Sequence, residues 1–181
     1  MTSYFPHFPA DLLARAANIR LACFDVDGTL TDGRLFFDVH GQEIKSFHVL
    51  DGQGLVQLRK AGITVAFITA RTSVIALNRA RELGLEGFDG VTDKLTCVDA
   101  LCARLGIDRT QVSFMGDDLP DLPVLRSVGL SVVPANAHPW VVAPAHWQTH
   151  ARGGEGAARE LCDLLLTAHG KIDALLQAGV H

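Results

Sequence analysis

The sequence of 181 residues lacks the features that identify several protein classes at once. It has only four cysteines, and no two of them form a Cys-x-x-Cys pair. A disulfide framework and structural zinc are therefore not expected, and we expect all four cysteines to be buried free thiols. The net charge of −4 provides no general positive field, so neither nucleic acid nor an anionic membrane surface is an expected partner.

Long hydrophobic runs are also absent from the sequence. No stretch reaches the length of a membrane span, and residues 1–15 contain no signal-peptide core, so a cytoplasmic protein is expected. Hydrophobic residues nevertheless make up 48% of the chain, which is enough for one well-buried core. We therefore expect residues 1–181 to form a single domain, with a hairpin at residues 33–48 and a C-terminal helix and tail at residues 154–181.

Apolar runs alternate with amphipathic stretches along most of the chain. This alternation predicts an α/β protein with a doubly wound, Rossmann-like parallel sheet and right-handed connections. Strands are expected at 21–24, 63–68, 111–115, 130–133 and 147–149, and helices at 11–18, 55–61, 73–83, 94–105, 119–128, 136–142 and 157–168. Residues 33–48 differ, because two β-rich runs flank a turn at Gly41 and predict a projecting hairpin. The glycines of 51–54 predict a second turn.

Two aspartates follow the first predicted strand, in the sequence Asp25-Val26-Asp27-Gly28-Thr29. Side chains alternate along a strand, so both carboxylates lie on one side of its end, where open α/β sheets bind ligands. Two like charges in one pocket require a cation, a shared proton or a positively charged substrate. An Asx-rich turn that closes the strand is the structural alternative.

Polar residues also mark three later element boundaries. Thr69 follows the strand at 63–68, where a hydroxyl and the amides of the next helix can bind a phosphate oxygen. Lys94 begins a helix, where the helix dipole disfavours a cation unless an anion compensates it. Asp117, Asp118 and Asp121 cluster after the strand at 111–115. Oxygen ligands of this kind suit Mg²⁺, and without a cation two carboxylates about 4 Å apart repel by roughly 1–4 kcal/mol.

These residues match, in order, the four motifs of the haloacid dehalogenase-like superfamily, which the chain resembles. The resemblance implies that Asp25 is a nucleophile that becomes a phosphoaspartate and that Asp27 is the general acid and base. It also implies that Thr69 and Lys94 hold the phosphoryl oxygens. Mg²⁺ is expected to bind Asp25, Asp117 and the backbone carbonyl of Asp27. The implied supporting residues, which orient the metal's waters and Lys94, are Asp118 and Asp121.

Short spacings between the motifs leave no room for a cap domain. With the hairpin, this arrangement resembles the 3-deoxy-D-manno-octulosonate 8-phosphate phosphatase family, which acts in lipopolysaccharide precursor synthesis. Matching segments include Lys45-Ser46-Phe47, Asp51-Gly52-Gln53-Gly54, Gly129-Leu130-Ser131-Val132, Ala137-His138-Pro139 and 153–160. The resemblance implies an Mg²⁺-dependent phosphomonoesterase that binds its phosphorylated sugar acid through Asp27, His48, Val49, Leu50, Asp51, Gly52, Arg71, Arg79 and Lys94.

A homo-oligomer, expected to be a tetramer, is the implied assembly. The hairpin supports it independently, since Leu35, Phe37 and Val39 form an apolar strand face on a two-stranded unit that is marginal alone. Hairpins from several subunits could pair at their edges. A neighbouring subunit is then expected to cover the open site, through its loop 153–159 or its C-terminal tail.

Several alternatives remain open at this point. The family usually has Thr-Gly-Arg where this chain has Thr69-Ala70-Arg71, and it often has a basic residue at the position of Val56. The nearest alternative is therefore a phosphatase for another sugar-acid phosphate, such as a nonulosonate 9-phosphate. A phospho-receiver domain shares a phosphoaspartate with Thr and Lys neighbours, but its acids occupy other positions. His146 and His150 have helical zinc spacing in a strand-like segment. The glycines of 153–156 offer an anion cradle or a simple loop.

Overall fold

A six-stranded parallel sheet forms the centre of the protein in the computed structural model, which describes residues 7–178. Its strands are β1 (Leu21–Phe24), β4 (Thr64–Ile68), β5 (Glu86–Phe88), β6 (Val112–Met115), β7 (Leu130–Val133) and β8 (Trp147–Gln148). The order across the sheet is β5-β4-β1-β6-β7-β8, and every pair is parallel. The predicted doubly wound sheet is confirmed. The predicted domain, 1–181, extends beyond the described residues at both ends.

Helices cover both faces of this sheet. They are α1 (Ala10–Ala16), α2 (Val49–Lys60), α3 (Val74–Glu82), α4 (Lys94–Leu105), α5 (Leu122–Leu125), α6 (Pro139–Val142), α7 (Ala157–Ala168) and α8 (Ile172–Ala178). Alternate residues of β1 point into two separate apolar clusters: Ala22 and Phe24 pack with α1, α2, α3 and α7, whereas Leu21 and Cys23 pack with α4, α5 and α6. The strand ends therefore lie between two helical layers, where the polar residues emerge.

The second predicted turn is wrong, because residues 51–54 lie inside α2. Gly52 and Gly54 serve close packing instead of turning the chain. A Cβ atom on Gly52 would overlap the guanidinium of Arg79, and one on Gly54 would crowd Arg159 and Cys162 of α7. The two glycines therefore allow α2 to approach α3 and α7 closely, at the usual cost of glycine in a helix.

The hairpin is present and separate from the main sheet. Strands β2 (Phe36–Phe37) and β3 (Glu43–Ile44) pair antiparallel, and Gly41 adopts the predicted left-handed conformation, with φ +75°. Apolar side chains are exposed on both of its faces, not only the predicted one. They are Leu35, Phe36, Phe37, Val39 and Ile44.

Other boundaries differ from the prediction for local reasons. The helix expected at 119–128 is a 3₁₀ turn, Leu119–Asp121, followed by the short α5, and Pro120 and Pro123 each remove a backbone donor from this segment. Strand β5 was not predicted; its central residue is Gly87, which has low strand propensity. All four cysteines are free as expected, although Cys97 is only half-buried. No helix within residues 7–178 combines the length and hydrophobicity of a membrane span.

Candidate active site

Asp25 lies at the end of β1 in the middle of the sheet, and its carboxylate contacts a buried lysine. The backbone N–H of Asp25 donates to the carbonyl of Met115, so the residue is fixed as an extension of the sheet. Lys94 donates from Nζ to Asp25 Oδ1 and to Asp121 Oδ1, both at 2.6 Å. The side chain of Lys94 is 3% exposed, so its cation is almost completely removed from water. Two carboxylates supply the compensation that the sequence predicted for this helix-start lysine.

Asp117 completes an acidic group with Asp25 and Asp121. One carboxylate oxygen from each of the three lies within 4.8 Å of the others. Gly28 permits this arrangement, because its φ is +88° and a Cβ atom at this position would overlap the carboxylate of Asp117. The Asp25–Gly28 segment and the end of β6 are therefore packed directly against each other.

The hydrogen bonds of these acids decide which of them are available to a metal. Asp121 accepts from Lys94 through Oδ1 and from the N–H groups of Asp117 and Asp118 through Oδ2, at 3.0 and 3.3 Å. Both oxygens of Asp121 are thus engaged within the chain. Asp25 and Asp117 are the better candidate ligands, because Lys94 contacts Asp25 through Oδ1 only and Thr29 contacts Asp117 through Oδ1 only. Two carboxylates suit Mg²⁺, an ion that binds through one or two carboxylates and retains several waters. Asp118 caps the following turn through Leu119 N–H.

The electrostatics of the cluster also fit a cation. Burial, followed by the charge of Asp121, raises the pKa of Asp25 well above its usual range, even though Lys94 opposes the shift. Burial and Asp121 likewise raise the pKa of Asp117 to about 6. The pKa of Lys94 is raised: burial opposes the shift, but Asp25 and Asp121 outweigh it. One lysine thus faces three acids, and a divalent cation would stabilise their ionised forms.

Asp27 belongs to a second group of charges beside the first. The Thr69 hydroxyl donates to its Oδ2 at 3.4 Å, and the Nε atom of Arg71 lies 4.0 Å from the same oxygen. Lys45 donates to its Oδ1 and, at 3.2 Å, to Glu43, which also accepts from Arg71 at 2.8 Å. The structure therefore brings Thr69 and Arg71, two of the predicted site residues, to Asp27, and adds Lys45 and Glu43 of the hairpin, which were not predicted as site residues.

Most of the other predicted substrate contacts lie on α2 and α3. Val49 and Leu50 are exposed in the first turn of α2, and Gly52 is buried against Arg79. Arg79 lies over the ring of Phe47 and pairs with Glu82 at 2.9 Å. His48 precedes α2, and its Nδ1 atom is buried with no hydrogen-bond partner among the described residues.

Asp51 has a structural role in place of the predicted substrate contact. Its side chain is buried, and it accepts hydrogen bonds from the N–H groups of Gly156 and Arg159 at 3.3 and 2.7 Å. The carboxylate therefore caps the start of α7, which favours a negative charge there. Burial raises the pKa of Asp51, and these two donors oppose the shift. The prediction that Asp51 contacts substrate is not supported by this geometry.

The loop before α7 packs against Gly28 and Thr29 of its own chain. Asn136 donates to the carbonyl of Gly28 at 3.0 Å and accepts from Gly153 N–H at 2.6 Å, and Gly154 N–H donates to Thr29 O at 3.1 Å. With Gly156 bound to Asp51, these N–H groups are engaged internally. The anion-cradle interpretation of 153–156 is therefore wrong, and these contacts do not support the expectation that 153–159 covers a neighbour.

The two histidines near β8 form no metal site in the described part of the chain. His146 accepts the N–H of Ser131 at its Nδ1, at 3.0 Å, while His150 is exposed and lies 3.5 Å from Glu160. Burial, together with Arg15, lowers the pKa of His146. The acidic group of Asp25, Asp117 and Asp121 is the one cluster of three potential ligands found among residues 7–178.

The chain is similar in sequence and in structure to known proteins. Residues 88–161 match the sequence profile of haloacid dehalogenase-like hydrolases. The chain is 44% identical to the 3-deoxy-D-manno-octulosonate 8-phosphate phosphatase KdsC of Yersinia pestis, over 90% of this chain and 88% of the relative. A hypothetical protein from Xanthomonas campestris is similar in structure, with a TM-score of 0.94, 57% identity and coverage of 96% of this chain and 98% of the other.

A further similar structure carries ligands. The 3-deoxy-D-manno-octulosonate 8-phosphate phosphatase of Moraxella catarrhalis, in complex with a magnesium ion, a phosphate ion and a KDO molecule, superimposes with a TM-score of 0.92. Its identity to this chain is 38%, over 94% of this chain and 99% of the other. The two chains thus correspond over nearly their whole lengths.

Proposed function

The chain belongs to the family of 3-deoxy-D-manno-octulosonate 8-phosphate phosphatases, within the haloacid dehalogenase-like hydrolases, and from this premise we propose that it hydrolyses 3-deoxy-D-manno-octulosonate 8-phosphate to the free sugar acid and phosphate. The observation that carries the proposal is the contact of Lys94 with Asp25 beside Asp117, in a chain 44% identical to a named phosphatase of that substrate. Such a site can bind a phosphate ester and attack it with a carboxylate.

Asp25 is the proposed nucleophile. Its oxygen attacks phosphorus, the bond from phosphorus to the sugar oxygen breaks, and a phosphoaspartate forms. Lys94 holds Asp25 in one orientation through a 2.6 Å hydrogen bond and balances phosphoryl charge, and the Thr69 hydroxyl is a donor for a phosphoryl oxygen. Water then attacks the same phosphorus, which releases phosphate and restores the Asp25 carboxylate.

Asp27 is the proposed general acid and base. It gives a proton to the sugar oxygen as that oxygen leaves, and it later takes a proton from the water that attacks the phosphoaspartate. Its position beside Thr69 supports both steps, because the Thr69 hydroxyl is the proposed donor to a phosphoryl oxygen.

Mg²⁺ is the proposed cofactor, held by Asp25, Asp117 and the backbone carbonyl of Asp27. When bound, it supplies positive charge that screens the repulsion between the attacking carboxylate and the phosphoryl oxygens. Asp121 is a supporting residue that fixes Lys94 and the backbone of Asp117, and Asp118 is proposed to orient metal-bound water.

Recognition of the sugar acid is proposed to depend on the cations at the pocket edge. Arg71 has a half-exposed side chain that is bound on one side by Glu43, and Arg79 lies beside His48 in a small cavity that is also lined by Phe47 and Leu55. An anionic, hydroxylated substrate matches such a surface.

The direct test is a phosphate-release screen over phosphorylated sugar acids, with Mg²⁺ and with EDTA. We expect 3-deoxy-D-manno-octulosonate 8-phosphate to have the highest kcat/KM, above nonulosonate 9-phosphates and neutral sugar phosphates. If a nonulosonate 9-phosphate were the best substrate, the proposed substrate would be wrong, but the proposed phosphatase mechanism would stand. No phosphate release from any ester would contradict the proposed function.

Replacement of Asp27 by Asn is expected to slow alkyl phosphates much more than aryl phosphates. A sugar alkoxide needs a proton when it leaves, whereas p-nitrophenolate does not, so we expect a loss on the order of 10²-fold for the sugar phosphate and less than tenfold for p-nitrophenyl phosphate. Rapid-quench measurement of phosphoenzyme formation checks this prediction. Equal losses for both esters would exclude Asp27 as the general acid.

A homotetramer built through the hairpins is the proposed assembly. Five apolar residues are exposed on this two-stranded unit, among them Val39, which is 95% exposed, and an isolated hairpin of this size is marginal in water. The C-terminal tail, whose residues 179–181 lie outside the described chain, is the proposed cover for a neighbouring site. The free thiols support a reducing compartment and hence the cytoplasm.

Phe36→Glu is expected to dissociate this assembly, because it introduces charge into the apolar hairpin surface. Phe36 is preferable to Phe37, since Phe37 lies opposite Glu43 in the hairpin and a new acid there would disturb the active-site ion pairs. Sedimentation should show monomers or dimers for Phe36→Glu, and tetramers for the wild type and for Phe36→Leu, which remains apolar. A wild-type monomer with full activity would contradict the proposed assembly.

A further inference from the structure

The two candidate catalytic aspartates each contact their own buried lysine. Lys94 bridges Asp25 and Asp121, and Lys45 bridges Asp27 and Glu43. The side chains of the two lysines are 3% and 2% exposed. A lysine that loses its water to this extent is costly unless its charge is paired, and two acids supply that pairing for each lysine.

Lys45 provides the strongest constraint on the Asp27 side chain. It donates to Oδ1, whereas Oδ2 has only the Thr69 hydroxyl at 3.4 Å and Arg71 Nε at 4.0 Å. The close cation therefore fixes one oxygen of the carboxylate and leaves Oδ2 directed to the side of Thr69. Oδ2 is thus the atom in position to exchange a proton with a leaving group or water.

Lys45 is itself held from its other side. It lies directly after β3, and Glu43, in β3, accepts from it at 3.2 Å and from Arg71 at 2.8 Å. The pKa of Glu43 is lowered below its usual value: burial opposes this shift, but Lys45 and Arg71 outweigh it. Glu43 is therefore an anion at neutral pH. Lys45 therefore lies between two acids, Asp27 and Glu43, and Glu43 lies between two cations, Lys45 and Arg71.

From this geometry we propose that Lys45 is the positioning residue of Asp27: it holds the general acid and base so that Oδ2 faces the scissile oxygen. The proposal rests on the proposed phosphatase function. In the first step the proton moves from Oδ2 to the sugar oxygen while the bond from that oxygen to phosphorus breaks and the bond from Asp25 to phosphorus forms. Lys45 takes no part in this transfer and contributes orientation only.

Lys45→Met tests the proposal because it keeps the length of the side chain and removes the cation. We expect phosphoenzyme formation from the best sugar phosphate, measured by rapid quench, to slow about ten- to thirtyfold, as misorientation of a catalytic group does. KM and phosphoenzyme formation from p-nitrophenyl phosphate should both stay within threefold of the wild type. Lys45→Arg should recover part of the loss. Lys60→Met, at the exposed end of α2, is the matched control and should behave as wild type.

Two comparisons separate positioning from other roles. In an Asp27→Asn background, Lys45→Met should cause no further loss on the sugar phosphate, because groups that act as a unit are not additive. A further loss in that background, an equal loss of phosphoenzyme formation from both esters, or an effect on KM alone would overturn the proposal. If no ester is hydrolysed, the proposed function fails, and crystal structures still test positioning: Asp27 should keep one side-chain conformation in the wild type and lose it in Lys45→Met.

Discussion

Asp25→Asn is expected to lower turnover by at least a factor on the order of 10⁴ for both sugar and aryl phosphates. The substitution removes the attacking oxygen, which no other group replaces, and a factor of 10⁴ corresponds to about 5.5 kcal/mol of lost transition-state stabilisation. Unlike Asp27→Asn, it should not discriminate between good and poor leaving groups, since both reactions begin with the same attack.

The same substitution is expected to leave the fold intact. Asn has nearly the volume of Asp, and Lys94 keeps Asp121 as a partner at 2.6 Å. Burial and Asp121 raise the pKa of Asp25, so its ionised form is unfavourable in the folded protein without a metal, and a neutral amide removes that cost. Thermal unfolding in EDTA should therefore give a Tm at or above that of the wild type.

Asp11→Asn is a matched control for this experiment, because it makes the same change at an exposed position in the first turn of α1. It should retain wild-type turnover. Turnover of Asp25→Asn within tenfold of the wild type would exclude the phosphoaspartate mechanism, whatever its stability.

The central features of this site follow a pattern that sequence can reveal. Asp25, Thr69 and Asp117 each follow a buried strand, and parallel strands that alternate with helices place such ends along one edge. Lys94 was identifiable because a lysine at a helix start conflicts with the helix dipole. These signals are local in the sequence, and the topology brings them together without further information.

Lys45 and Glu43 carried no comparable physical signal, although Lys45 lies in a segment, Lys45-Ser46-Phe47, that resembles the family. In the sequence they are polar residues of a short hairpin, a place where exposed charges are ordinary. Their burial depends on how the hairpin lies against the end of β1, an arrangement between distant segments that periodicity does not encode. The wrong prediction of a turn at Gly52 and Gly54 has the same origin. Glycine indicates a turn when only the local sequence is considered, whereas here glycine is required by the close packing of α2 on α3 and α7.

Asp51 and Asn136 illustrate a further limit. Asp51 caps a helix that begins more than a hundred residues later, and Asn136 joins Gly28 to Gly153. Each side chain satisfies backbone groups of segments remote in sequence, and any Asp or Asn on the correct surface could do so. The chemistry of the residue type was readable from the sequence, but its partner was not.

Metal removal is expected to abolish activity, with a loss of more than 10³-fold in EDTA that added Mg²⁺ restores. Ca²⁺ should bind and inhibit, because its larger and less regular coordination shell does not hold the Asp25 oxygen in line with the scissile bond. Full activity after stripping would contradict the Mg²⁺ assignment.

Unfolding experiments provide a readout of Mg²⁺ that does not depend on turnover. The pKa of Asp117 is raised to about 6, above its usual value near 4, so without a metal its ionisation destabilises the fold above pH 6, and this cost disappears as the pH falls from 6 towards 4. Above pH 6, bound Mg²⁺ removes this cost. Towards pH 4, Mg²⁺ must instead compete with the proton on the Asp117 carboxylate. At a concentration about 100 times its Kd, we expect Mg²⁺ to raise the Tm by roughly 5–10 °C at pH 7.5, and by much less at pH 5. Asp117→Asn should lose the Tm increase at both pH values; an equal increase in this variant would show that Mg²⁺ binds elsewhere.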